Sequence, residues 1–272
     1  MSTLGSGSWT SARNAAGFRL RRALRWSLGP PRLRQEPKGR LFSYLEDPRA
    51  ADARERELRE RYALEPLRER SRRIDYQENL YLLDLLEGAL PGQRFVPGTR
   101  ALDVGSKNWS YVFALQRFLA ARGAEPLELH GVEVDAHVVY WTLRSRKDLA
   151  QAYMAQTGNE ALRFWSADVR ELEQGEFDLV TWFYPFLTRE ALLGWGLPLS
   201  LLEPRGTLQA VVDRVRPGGH LLLVTHTLRE LGLLIELEPP GLELVRRGPV
   251  QSQLVPYWPR TQERTASLYR RG

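Results

Sequence analysis

The chain has 272 residues, 43% apolar and 26% charged, enough for one large domain or a domain plus an extension, and too apolar to be disordered throughout. It has no cysteine and four scattered histidines, which excludes disulfides, thiolate zinc sites and cysteine nucleophiles and argues against a dedicated transition-metal site. The formal charge of +6 is uneven: residues 1–74 hold 18 basic against 9 acidic side chains, whereas residues 75–272 hold 21 against 24. No apolar run reaches the roughly 18 residues of a membrane-spanning helix. Residues 1–25 lack the continuous apolar segment of a secretory signal, so the expected address is cytoplasmic.

Residues 18–28 read as a short basic amphipathic helix. Leu20, Leu24 and Leu28 recur every four residues on one face, Arg21, Arg22 and Arg25 lie opposite, and Pro30 and Pro31 stop it. One reading sets this helix on an anionic partner such as RNA or a lipid surface. The favoured one packs the leucines on the protein's own core and solvates the arginines, because a three-leucine stripe is common on surface helices. Residues 51–64 (ADARERELRERYAL) predict a mostly solvated helix with Glu55–Arg59 and Glu57–Arg61 pairs. Residues 75–90 predict another, with Tyr76, Leu80, Leu83 and Leu86 against a core.

After Pro97-Gly98 short apolar strands alternate with helical stretches, the pattern of a wound parallel α/β sheet. Strands are expected at residues 100–104, 127–134, 162–166, 177–183 and 219–225, with two late β-like segments at 242–247 and 265–269. Helices are expected at 109–122, with Tyr111, Leu115, Phe118 and Leu119 inward, at 136–145, and at 206–215, the last closed by Arg216-Pro217-Gly218-Gly219. In such sheets ligands sit at the carboxyl ends of the strands. The residues there include Asp103, Gly105, Glu133, Asp135, Asp168, Phe183, Tyr184 and His226. So many acids suit a ligand presenting hydroxyls, an amine and a cation, which describes a positively charged nucleoside.

ALDVGS at 101–106, HGVEVDA at 130–136, SADV at 166–169, FDLV at 177–180 and RPGGHLLLVTH at 216–226 resemble, in order and spacing, the motifs of the class I methyltransferases that use S-adenosylmethionine. The resemblance covers about residues 75–272. It implies a Rossmann-like seven-stranded sheet with helices on both faces, to which residues 1–74 add a basic helical N-terminal extension. It also implies a cofactor site. Gly105, with Ser106 and Lys107, would let the backbone approach the methionine part, and Asp103 would order that loop or meet the amino group through water. Glu133, followed by Val134, would accept from both ribose hydroxyls; Asp168 with the Val169 amide would take the adenine; Phe183 and its neighbours Trp182 and Tyr184 would flank the sulfonium.

The residues themselves leave alternatives. Asp103 and Glu133 could bond loop amides or cap helices, Asp168 could cap a turn completed by Glu171, and one of Trp182 and Phe183 belongs to the core by strand alternation. Where the family has a loop of three glycines, this chain reads Gly105-Ser106-Lys107-Asn108-Trp109. Lys107 could face the methionine carboxylate or fill the place of the ligand. Methyl transfer needs a general base only when the acceptor must lose a proton, and Tyr184 and His226 are the candidates, His226 being equally readable as a satisfied strand-end histidine. His130 and His220 fall at the wrong end of the strands. The expected acceptor is a small molecule or a nucleic acid, with an anionic partner for the basic helix. The competing reading is a non-catalytic module that keeps the fold and uses its basic arm; a nicotinamide-dependent oxidoreductase is disfavoured by the RPGG turn and the missing GxGxxG.

Overall fold

The alternating half of the sequence builds seven strands among the described residues, which in this computed structural model are 4–173, 175–237, 239, 241–252, 254 and 263–272. They are β1 (Arg100–Val104), β2 (Glu128–Val132), β3 (Leu162–Trp165), β4 (Phe177–Phe183), β5 (Val215–Thr225), β6 (Leu242–Pro249) and β7 (Thr265–Arg271). The sheet order is β3-β2-β1-β4-β5-β7-β6; β1 to β5 run parallel, and β7 is antiparallel to both of its neighbours. The winding reverses between β1 and β4, where the fold opens a crevice at the carboxyl ends.

Strand alternation sends Ala101, Leu129, Leu179 and Leu222 to one face of the sheet and Leu102, Val180, Leu221 and Leu223 to the other. The first face is covered by α4 (Arg73–Ala89), α5 (Val112–Ala121) and α6 (Arg146–Thr157), the second by α8 (Pro204–Asp213) and α9 (Leu228–Leu237). Tyr76, Leu80, Leu83 and Leu86 are all fully buried in α4, as their spacing predicts, and so are Leu115, Phe118 and Leu119 in α5.

Ahead of α4 lie α1 (Leu4–Leu24), α2 (Pro48–Arg61) and α3 (Glu65–Arg70). Asp47 caps α2 by accepting from the Ala50 amide, and Pro48 opens its first turn. The Glu55–Arg59 and Glu57–Arg61 pairs form at 3.3 and 2.5 Å. The helix is less solvated than its composition suggests: Leu58, Tyr62, Leu64 and Leu67 share one hydrophobic core with α4 and α5.

Three sequence expectations are corrected. Residues 136–145 are not helical: they turn back on themselves through a Val139–Ser145 bridge, the Tyr140 amide donating to Arg144 O at 2.9 Å and the Leu143 amide to Tyr140 O at 2.9 Å. The helix starts only at Arg146, because Ser145 and Asp148 form a capping box that fixes its first turn there. Second, α1 ends at Leu24, not at the prolines, with Arg25 in the left-handed region (φ 46°), and its leucine face is turned outward. Arg21 turns inward to Asp135, while Leu20 and Leu24 stay exposed, at 59% and 65%. Asp135 is almost fully buried, and a buried carboxylate needs a hydrogen-bonded cation more than three leucines need this particular core. Third, Arg216–Gly219 belongs to β5: Phe177 pairs with Val215 and Leu179 with His220, so the four residues form a bulge.

Candidate functional site

At the crevice, the loop after β1 keeps the backbone of a glycine loop without its glycines. Gly105, Lys107 and Trp109 have φ of 72°, 56° and 52°, so all three alternate positions are left-handed although two carry large side chains. Such a conformation costs a non-glycine residue about 1–2 kcal/mol. Packing and hydrogen bonds offset it. The amides of Gly105 and Ser106 donate to Val132 O at 2.9 and 3.2 Å, and that of Lys107 to Glu133 Oε2 at 2.9 Å. Trp109 is fully buried in a notch that exists because residue 131 is glycine: a Cβ there would lie 2.9 Å from the indole and 3.0 Å from Ser106 Oγ.

The loop borders a cavity of about 440 Å³, within the range of small-molecule sites. Gly105, Lys107, Glu133, Val134, Asp168 and Val169 are on its wall. Ser106 is not: its side chain is fully buried and points at Gly131. Asp103 also lies beneath the wall, where its carboxylate accepts from Thr181 Oγ1 at 2.7 Å and from Tyr111 OH at 2.9 Å. Burial pushes this carboxyl up to about 7, against the pull of those hydrogen bonds.

The two carboxylates on the wall are partly used by the protein. Among the described residues, Glu133 Oε1 accepts from the Asp135 amide at 3.0 Å and from Arg146 at 3.1 Å, and Oε2 from Lys107 N alone. Asp168 Oδ1 accepts from the Arg170 amide and Nε, both at 3.0 Å, and Oδ2 from Arg170 Nη2 at 2.6 Å. Burial alone would raise the Asp168 carboxyl, but the Arg170 bonds outweigh it and hold it below its ordinary value. A carboxylate has about four acceptor positions. Each of these two therefore keeps one, on the oxygen that accepts a single bond.

At the end of β4, Trp182 is buried while Phe183 is half-buried and meets Tyr111 edge-on at 6.0 Å; both reach the cavity. Tyr184 has φ 56° and bonds through its hydroxyl to Tyr81 OH at 2.7 Å. Burial, with the Tyr81 contact, raises its phenol well above the usual value. His226 packs edge-on against the Tyr184 ring at 5.1 Å, and its amide donates to Glu230 Oε2 at 2.8 Å. His130 bonds Glu128 and Trp165 inside the sheet, away from the cavity.

The sequence reading missed Arg146 and Trp195. The Ser145–Asp148 capping box was the available signal for Arg146, since it puts that residue at the first position of a helix facing Glu133. Trp195 ends α7 (Arg189–Gly194), and Lys107 Nζ and the Arg146 guanidinium lie 5.3 and 5.5 Å from its ring. Lys107 is thus held at the cavity's edge by an aromatic face. The segment carrying Trp195 is covered by α1, whose Asn14 donates to the carbonyls of Leu193 and Leu197, both at 3.1 Å.

No protein-family model and no curated protein matches the sequence. Among solved structures the chain is similar to TrmN from Thermus thermophilus, with a TM-score of 0.50 and 22% identity over 71% of this chain and 49% of that one. It is also similar to a Listeria monocytogenes protein provisionally described as a class I S-adenosylmethionine-dependent methyltransferase, with a TM-score of 0.50 and 12% identity over 72% of this chain and 59% of the other. The chain thus spans about half the length of TrmN. At these identities the likeness is one of architecture: the chain has the class I methyltransferase fold, with the Rossmann-like sheet that its motifs imply.

Proposed function

We propose that the cavity binds S-adenosylmethionine and that the protein transfers its methyl group to a small-molecule acceptor. The observation that carries this reading is the left-handed backbone at residues 105, 107 and 109, kept at the strained positions Lys107 and Trp109, beside two acids on one cavity wall. Strained backbone of this kind clusters at ligand-binding sites.

With Asp103 and Ser106 beneath the wall, the remaining residues fit such a cofactor with one further change from the sequence reading. Glu133 has one open acceptor position, so it would hold one ribose hydroxyl; gripping both requires Arg146 to leave. Asp168 would give its open Oδ2 position to the adenine amine, with Val134 and Val169 against the ring. When bound, the cofactor supplies an electrophilic methyl group on a sulfonium. The chain's task is then to orient the acceptor and exclude water. Tyr184, kept as a phenol by burial, serves as a hydrogen-bonding group and not as a phenolate base. His226 is the base candidate for an acceptor that must lose a proton. The outer wall, with Leu82, Leu85, Phe186, Leu192 and Leu201, favours an acceptor with an apolar body over a nucleic acid.

The bond from Arg146 to Glu133 favours a second reading, a fold relative that no longer binds the cofactor. One titration separates the two. Calorimetry of the full chain with S-adenosylmethionine or S-adenosylhomocysteine should give saturable binding, weakened by Glu133→Ala by about 1–3 kcal/mol and strengthened by Arg146→Ala. Absence of heat from both the folded wild type and Arg146→Ala would leave only the second reading.

A further inference from the structure

The inward turn of Arg21 leaves an apolar surface outside. Leu20 and Leu24 line the outer side of α1, and the chain that follows continues the surface with Trp26 and Leu28, exposed at 43% and 51%. The turn at 139–145 joins it directly, because Trp26 Nε1 donates to Leu143 O at 2.9 Å and Arg144 donates to the carbonyls of Leu28 and Gly29. At its tip Trp141 is 93% exposed and Leu143 is 60% exposed. Leu143 is in the left-handed region, φ 60°, a conformation that a leucine adopts at a cost and that displays its side chain to solvent. Six large apolar groups on one connected surface are well beyond the scattered exposure of ordinary proteins.

The charge carried by the segments that form this surface has one sign. Residues 1–35 contain seven arginines and no acid, and residues 136–147 contain Arg144, Arg146 and Lys147 and no acid. Arg21 and Arg22 pair with Asp135 and Glu171, while Arg13, Arg19, Arg25 and Arg32 are exposed. Asp148, which touches residues 27–29, is occupied by Ser27 Oγ and by the amides of Leu28 and Gly29. A second copy of the chain would set arginine against arginine. Single-stranded nucleic acid would use the tryptophans as stacking platforms, yet four of the six groups are leucines, which stack nothing. Tryptophan and leucine rimmed by arginine match the boundary of an anionic bilayer, where the rings sit among the headgroups and the guanidinium groups meet lipid phosphates.

We propose that the outer side of α1, residues 25–28 and the 139–145 turn dock this protein on an anionic membrane surface. The attachment is peripheral, since among the described residues no helix is long and apolar enough to cross a membrane. Its consequence follows from the other side of α1. There Asn14 and Phe18 pack on the segment that includes Leu192, Trp195 and Leu197, which forms one wall of the cavity. Docking would bring that wall within about one helix diameter, roughly 10 Å, of the headgroups.

The test is flotation of the full chain with vesicles of phosphatidylcholine alone or containing about a third phosphatidylglycerol, at physiological salt. Wild type is expected to float only with the anionic vesicles. Trp141→Ser and the double variant Leu20→Ser/Leu24→Ser should each lower the partition at least tenfold, and Arg19→Ala and Arg32→Ala about fivefold each, all with an unchanged melting temperature. Any of four results would overturn the proposal: no flotation of wild type; flotation indifferent to Trp141→Ser and Leu20→Ser/Leu24→Ser, which is adsorption by charge alone; a wild-type dimer by light scattering that Trp141→Ser makes monomeric; or a single-stranded RNA bound in a manner sensitive to Trp141→Ser while vesicles are not. None depends on whether the cavity binds S-adenosylmethionine.

Discussion

Two short loops at the carboxyl end of the sheet hold large residues in the left-handed region, and they differ in what holds them there. In the loop after β1, Lys107 and Trp109 are fixed from inside: the Lys107 amide bonds Glu133, and Trp109 is fully buried against Gly131. In the 139–145 turn, Leu143 has a backbone bond to Tyr140 but its side chain, like that of Trp141, lies in solvent. The first loop spends its strain on a cavity wall that the protein itself completes. The second displays apolar groups that the described residues leave uncovered. Strain whose side chain is buried within the molecule points to an internal site, and strain that holds an apolar side chain in solvent points to a surface that something else completes.

The largest test of that contrast compares the two tryptophans. Trp109→Ala should destabilise the fold by about 3–5 kcal/mol through the cavity it leaves, whereas Trp141→Ala should stay within about 0.5 kcal/mol of wild type, both read from urea unfolding. Equal losses would erase the distinction between the loops.

The aspartates under the two loops should titrate oppositely. Asp103, beneath the first, has a carboxyl raised by burial to about 7 from an ordinary 3.8, so the folded state binds its proton more tightly than the unfolded chain does. Its contribution to stability is complete below pH 3.8 and is lost as pH rises toward 7, with a slope of up to about 1.4 kcal/mol per pH unit. Asp148, beneath the turn, is desolvated, but bonds from Ser27, Ser145 and Leu28 lower its carboxyl below 3.8. Its contribution is present above that value and is lost as pH falls through the lower folded value. Asp103→Asn should therefore flatten the stability profile between pH 4 and 7, and Asp148→Asn should flatten it only on the acid side. A shared direction would show that the two sites are not separate environments.

A smaller effect belongs to the contact that ties the two regions together. Arg21 grips Asp135 with bonds of 2.9 and 2.6 Å, and Arg21→Ala should cost about 2 kcal/mol, below the value for a fully buried pair because the arginine is partly solvated. Chemical denaturation checks it. If the loss is nearer zero, the inward set of α1 rests on its other contacts, those of Asn14, Phe18 and Arg22.

The inner region was far more legible in the sequence than the outer one. The bounds of β1 and β4 follow from apolar alternation between turn residues, and the acids at the tips of β1 and β2 are readable from position alone. What cannot be read is how those acids are satisfied. Glu133 takes up Arg146 only because helix α6 begins at Ser145, and the apolar run from Val138 to Leu143 carries no period that separates a helix from a tight turn. The leucine stripe of α1 misleads for a related reason. Its orientation is decided by one buried carboxylate more than a hundred residues away, a long-range electrostatic requirement that outweighs local amphipathicity. The left-handed state of Lys107 is likewise invisible, since lysine is not a residue that announces it.

The smallest expected effect comes from placing glycine at the strained positions themselves. Leu143→Gly removes a left-handed strain of about 1–2 kcal/mol but adds backbone freedom to the unfolded chain worth about 0.5–1 kcal/mol, and it gives up no buried contact. Its net effect should be a gain of up to about 1.5 kcal/mol in thermal or urea unfolding. Lys107→Gly gains the same relief and loses the packing of its ammonium on Trp195, about 0.5–1 kcal/mol at a partly exposed ring, so it should come out near zero. The two variants then separate on function. Leu143→Gly should bind anionic vesicles less tightly while folding more stably, the signature of a side chain kept for something outside the molecule. Lys107→Gly should leave vesicle binding alone and alter only what the cavity holds.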